Sequence, residues 1–163
     1  MAEDYQKLLT FSLGSEGYGI SILKVKEIIG MMDITPVPRT PEFIKGVINL
    51  RGKIIPVMDL RTKFGMTEQE YDERTCIIVV EVLMKGTQKL IGVVVDMVSE
   101  VVTLPNDQIE PPPEYGTSAD HNSILGIGKI KDKVVIILDI DEIFICDELV
   151  KVMDNMVKEG SYV

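Results

Sequence analysis

The stretch GVINLRGKIIPVMDL, residues 46–60, alternates apolar and polar side chains and breaks at one place, Arg51-Gly52. Successive side chains of a strand point to opposite faces of a sheet, so the pattern reads as two short strands joined at a two-residue hairpin tip. The longer phrase IKGVINLRGKIIPVMDL (44–60) returns 80 residues later as ILGIGKIKDKVVIILDI (124–140). Ile44, Gly46, Lys53 and Asp59 are repeated, with seven further aliphatic matches, and Phe64 and Phe144 continue the register. The tips differ: Lys131-Asp132 closes the second hairpin, so the fold itself does not demand a glycine there.

A second match, at an offset of 73, lays YGISILKVKEII (18–29) over IGVVVDMVSEVV (91–102) and repeats Gly19, Val25 and Glu27 as Gly92, Val98 and Glu100. Order is kept, so the chain is a duplication of a unit of about seventy residues, its surplus falling in the polar connection PNDQIEPPPEYGTSADHNS (105–123). The first unit predicts strands at 8–13, 18–22, 47–50 and 53–58; the second predicts them at 76–83, 89–95, 127–130 and 133–138. Val25, Ile28 and Ile29, and their counterparts Val98, Val101 and Val102, follow a 3.6-residue period that suits a helical turn or a bent edge strand. Pro56 reads as the mark of an edge strand, where its missing N–H is not needed. Strands this short find their natural home in closed sheets, and two small barrels are expected, divided at 5–70 and 71–146. Which strands belong to which barrel stays open. Residues 147–163 form the third segment: Asp147 can cap a helix with Leu149, Val152, Met153 and Met156 on one face, either a strut across the barrels or a partner-binding helix.

The apolar runs fall far short of the roughly 20 residues that cross a bilayer, and Met1-Ala2-Glu3-Asp4 lacks the basic start of a secretory signal. A cytoplasmic protein without membrane insertion is expected. Cys76 and Cys146 lie in apolar segments without CxxC spacing, which points to free thiols. The net charge of −9 opposes a nucleic-acid partner, and the aromatic content, four phenylalanines and no tryptophan, opposes a base-stacking barrel. Residues 1–75 carry 10 basic against 11 acidic side chains and residues 76–163 carry 7 against 15. Lys45, Arg51, Lys53, Arg61 and Lys63 gather around the opening stretch, where they could steer an acidic partner.

No catalytic constellation emerges. The single histidine, His121, lies in a polar loop without a separately positioned nucleophile, and the Walker A, GxGxxG and HExxH patterns are absent. No enzyme, cofactor or metal is expected. Asp139, Asp141 and Glu142 could in principle hold a hard cation, but Asp139 repeats as Asp59 and the Asp-x-x-Glu spacing is that of a helix cap, with Asp141 and Glu142 as solvated surface.

The run TPEFIKGVINLRGKIIPVMDL (40–60), preceded by YGISILKVKEII (18–29), closely resembles the CheW family, the coupling proteins of bacterial chemotaxis, and the resemblance covers about residues 9–149. It implies two intertwined five-stranded SH3-like barrels and a non-enzymatic adaptor. Such an adaptor joins the cytoplasmic tips of chemoreceptors to the regulatory domain of the histidine kinase CheA, and is recruited to membrane-associated receptor arrays. The same fold occurs within that kinase, yet no phosphoacceptor helix or ATP-binding segment accompanies the barrels here, so the standalone adaptor is expected. Carried over position by position, the resemblance puts receptor contacts at Val25, Glu27, Ile28, Gly46, Val98 and Val101, in a groove between the barrels. Kinase contacts fall on Asn49, Arg51 and Lys53 near the hairpin. Plainer readings stand beside these: core packing for the valines, tight entry to a strand or a helix C-cap for Gly46, and a turn alone for Arg51-Gly52.

Overall fold

The quoted stretch folds as read, into β4 (Ile44–Leu50), β5 (Lys53–Asp59) and a helical turn α1 (Leu60–Lys63). The computed structural model describes residues 4–67, 69–84, 86–112 and 123–143. The helix expected in 147–163 lies outside these residues, as do His121, Phe144 and Cys146. Ahead of β4 come the hairpin β1 (Tyr5–Leu13) and β2 (Glu16–Ser21), a 3-10 turn (Ile22–Lys24) and β3 (Val25–Gly30). The second unit repeats the series as β6 (Cys76–Met84), β7 (Thr87–Val95), β8 (Met97–Pro105), a two-residue β9 (Ile109–Glu110), β10 (Ile124–Ile130), β11 (Lys133–Leu138) and α2 (Ile140–Ile143). No helix among the described residues is long and apolar enough to cross a membrane.

The strands form two sheets, ordered β3-β6-β7-β5-β4 and β8-β1-β2-β11-β10-β9. These are the first and second barrels. Each draws its hairpin from the opposite half of the chain, so residues 5–70 and 71–146 share their strands. The length of the links explains the exchange. Within its own unit β3 would have to lie parallel to β2 on the far side of β1, and a parallel connection needs a crossover of about a dozen residues. Only three residues separate β2 from β3, and only Asp96 separates β7 from β8. The chain therefore runs straight on into the neighbouring barrel, and each unit completes the other.

The register is duplicated with the strands. β5 runs parallel to β7 with Val57 opposite Gly92, and β11 runs parallel to β2 with Ile137 opposite Gly19. Bulges also recur, at Ile44/Gly46 against β5 and Ile124/Gly126 against β11. Gly46 sits at φ 143°, and a Cβ there would run into the carbonyl of Thr35, which pairs with Val47; Gly126 likewise faces Ile109 and Glu110. The glycine serves a tight strand entry, and no helix precedes it to be capped. Pro56 corrects the edge-strand expectation. β5 is paired on both sides, by β4 and β7, and the ladder to β7 begins at Val57, one residue after the missing N–H.

The apolar patches that follow each first hairpin are strands, β3 and β8, each at one end of its sheet order and each bulged, at Val25/Glu27 and at Leu9/Phe11 of the partner strand. A bulge shifts the side-chain alternation by one, which makes a strand imitate a helical period. It also turns the strand from one core to another. Val25 and Val98 pack against the large cluster shared by both sheets, which includes Phe11, Tyr18, Leu60, Val80, Val93 and Ile140. Past the bulges, Ile29 enters the interior of the first barrel, with Ile48, Val57 and Ile77, and Val102 enters that of the second, with Leu8, Leu104 and Ile137.

Candidate functional site

The hairpin tip at residues 51 and 52 has φ 52° and 88°, as a two-residue turn with both positions in the left-handed region requires. In the second barrel Lys131 and Asp132 adopt 50° and 65° without glycine. Asn49 is committed to the first tip, its Oδ1 accepting the Gly52 N–H at 2.8 Å. Arg51 turns back along the sheet and donates through both terminal nitrogens to Glu27 of β3. That hydrogen bond first, and the carboxylate charge second, raise the guanidinium above its already high pKa. Two residues assigned to different partners are thus one ion pair. The second barrel repeats it with Lys131 Nζ and Glu100 Oε1 at 3.3 Å, and Glu100 is further held through its backbone by Thr10 Oγ1. Lys53 is exposed, next to the tip.

The remaining candidates divide by accessibility. Val25 and Val98 are half-buried against the shared core. Their neighbours Ile28 and Val101, equivalent in the repeat, stand outward at 44% and 53% exposure. The repeat thus places one exposed apolar side chain at the same position on the terminal strand of each barrel. Gly46 is buried in its bulge. Leu23, 87% exposed on the 3-10 turn beside Val25, escaped the sequence reading because ISIL (20–23) looks like a strand end. Ser21 caps that turn, accepting from the Leu23 N–H.

The basic group around the hairpin is not one surface. Arg61 is buried and reaches Asp96, with its Nε 3.2 Å from Oδ1, while the Lys63 ammonium lies over the Phe43 ring, 4.5 Å from its centre. The acidic cluster is likewise dispersed. Asp139 Oδ1 accepts the Asp141 and Glu142 N–H groups as a cap, as Asp59 Oδ1 accepts that of Arg61. Asp141 is not merely solvated surface: its carboxylate takes the Lys24 ammonium at 2.7 Å and the Leu83 N–H at 2.9 Å. Cys76 is a free, half-buried thiol whose pKa burial pushes up. What this arrangement offers is contact surface: exposed apolar residues on terminal strands and charged pairs at hairpin tips.

The CheW-like domain family matches residues 7–146. The chain is 42% identical over 153 residues to "Chemotaxis protein CheW" of Klebsiella aerogenes, covering 94% of this chain and 89% of that protein. It is 32% identical over 149 residues to the protein of the same name from Treponema pallidum, covering 91% and 87%. Among solved structures, the scaffolding protein TtCheW from Thermoanaerobacter tengcongensis superposes with a TM-score of 0.77 at 41% identity, over 88% of this chain and 94% of that one.

Proposed function

The chain belongs to the CheW-like domain family and has a scaffold or adaptor role in chemotaxis, and we propose that it couples the cytoplasmic tips of chemoreceptors to the regulatory domain of the kinase CheA without catalysing a reaction. The observation that carries this reading is the repeated apolar pair. Ile28 and Val101 stand exposed beside Val25 and Val98, whose half-buried side chains connect the same strands to the shared core. Corresponding apolar edges of two pseudo-symmetric barrels suit the apolar face of a helical hairpin. The Arg51 tip, with Asn49 and Lys53, serves the kinase. Arg51 is already paired with Glu27, so a carboxylate on the partner would compete for an oriented guanidinium. Holding one partner makes binding of the other intramolecular, so modest contacts suffice for a stable assembly at the receptor array.

Calorimetric titration against a receptor cytoplasmic hairpin, and separately against the CheA regulatory domain, tests the proposal. Binding to each, with a ternary complex when all three are mixed, is the expected result; binding to neither removes the coupling function. Because Val25 is part of the shared core, Val101→Asp is the cleaner probe of the receptor side, and it should weaken hairpin binding while the thermal midpoint holds.

A further inference from the structure

Two polar clasps bridge the barrels at equivalent places, and their charges are opposite. In the first, Arg61 of α1, with a side chain only 8% exposed, meets Asp96, the single residue linking β7 to β8. The second oxygen of Asp96 accepts the N–H of Gly14, in the β1–β2 turn, at 2.6 Å. In the second clasp, Asp141 of α2 meets Lys24, in the link between β2 and β3, and accepts the N–H of Leu83, at the end of the β6–β7 hairpin. Arg61 and Asp141 are 80 residues apart, as the repeat requires, and the repeat carries Asp96 onto Leu23, next to Lys24. Each clasp therefore joins a helical turn, an inter-barrel link and a hairpin. In the first the turn is cationic and the link anionic; in the second the turn is anionic and the link cationic.

This inversion bears on which units pair. A unit cannot close on itself, since its hairpin link is too short, so it needs a complementary unit. That complement is the other half of the same chain or either half of a second copy, and of these only the like half meets mismatched clasps. Pairing unlike halves neutralises both clasps. Two first units would bring Arg61 against Lys24 of the copy, beside the Gly14 N–H, giving three donors and no counter-charge, with the Thr67 carbonyl already accepting from Arg61. Two second units would set Asp141 against Asp96. A like charge set against the buried Arg61 without a counter-charge opposes association strongly, and the mismatch at the more exposed second clasp adds a smaller penalty. We propose that the opposed polarity of the two clasps is the recognition code between the halves of this chain, and that it excludes pairing with the like half of a second copy. The inference is independent of the proposed function.

The test is a full-length variant in which Lys24→Asp is combined with Asp141→Lys. The second clasp keeps an ion pair, but both turns become basic and both links acidic, so like halves now match as well. Wild type and variant are unfolded in urea, refolded over a series of protein concentrations and examined by size exclusion with light scattering. The wild type is expected to refold as a monomer. The variant is expected to yield dimer that grows with concentration, on the order of tenfold above wild type. Should the double variant fail to refold, each single substitution serves, because each breaks the native clasp while creating a match between like halves. Leu104→Ala, which weakens the second barrel away from the clasps, is the control. Monomeric variants, or dimer from Leu104→Ala equal to that from the polarity variants, would overturn the proposal.

Discussion

The two barrels share a register residue for residue, yet they fill their interiors differently. In the first, Ile48 on β4 is buried among Ile55, Val57, Ile77, Val79 and Val94. The second has Gly128 where the first has Ile48, and Leu104 reaches into the space, so close that a Cβ at 128 would collide with its Cδ2. Thr10 stands opposite Gly19 where Val79 stands opposite Gly92, and Ser21 takes the place of Val94. The first barrel thus builds its interior from six buried aliphatic residues, while the second has a smaller one, Leu8, Leu104 and Ile137, in which Leu104 fills the space that Ile48 fills in the first. A duplicated backbone constrains where side chains point, not which strand supplies the volume, and packing density can be met from either side.

Experiments can break this contrast in order of size. Gly46→Ala should cost the most, about 3 kcal/mol or more, because the new Cβ meets rigid backbone at Thr35. Gly126→Ala, where a Cβ would approach the Ile109 side chain at 2.6 Å and the Glu110 oxygen at 2.9 Å, should cost somewhat less by urea denaturation. Next, Leu104→Ala should lower stability by about 3 kcal/mol, and Gly128→Ala by about 1–2 kcal/mol through overpacking. The double substitution should fall short of the sum, since each change uses the space of the other. Strict additivity would mean that Leu104 and position 128 do not share a cavity.

The clasps sharpen the comparison at a lower level. Arg61→Met keeps the volume but removes the counter-charge from Asp96, which retains its hydrogen bond from the Gly14 N–H, for a loss of about 2 kcal/mol. Lys24→Met, at the more exposed clasp, should cost at most about 1 kcal/mol, and equal losses would show that burial does not distinguish the two. Smallest of all, neither Arg51→Ala nor Lys131→Ala should move the thermal midpoint measurably, since both tips are exposed. If the coupling function holds, kinase binding should fall for Arg51 alone.

The strands and hairpins were legible because alternation reports the face a residue occupies, and the repeat confirmed each element twice. The bulges left β3 and β8 open between a helical turn and a bent edge strand, since one inserted residue turns a period of two into something near 3.6. Partner choice was not legible at all: alternation carries no record of which strand lies alongside, and only the shortness of the links, read with the sheet order, explains the exchange. Among the candidate residues, Glu27 and Arg51 are named from the sequence for different partners, and their mutual contact was not legible, because 24 positions of sequence separate them. The clasps escaped for a related reason. A mismatch between repeats, Arg61 against Asp141, looks like unconstrained surface when it is a complementary inversion.

Consider finally the single residue between β7 and β8. Asp96 leaves no slack between the barrels, and the large apolar cluster is shared by both sheets, so melting one barrel strips packing from the other. Thermal or chemical denaturation should then trace a single transition with equal calorimetric and van't Hoff enthalpies. Limited proteolysis should then show both barrels becoming susceptible together, because the packing lost with one exposes the shared cluster of the other.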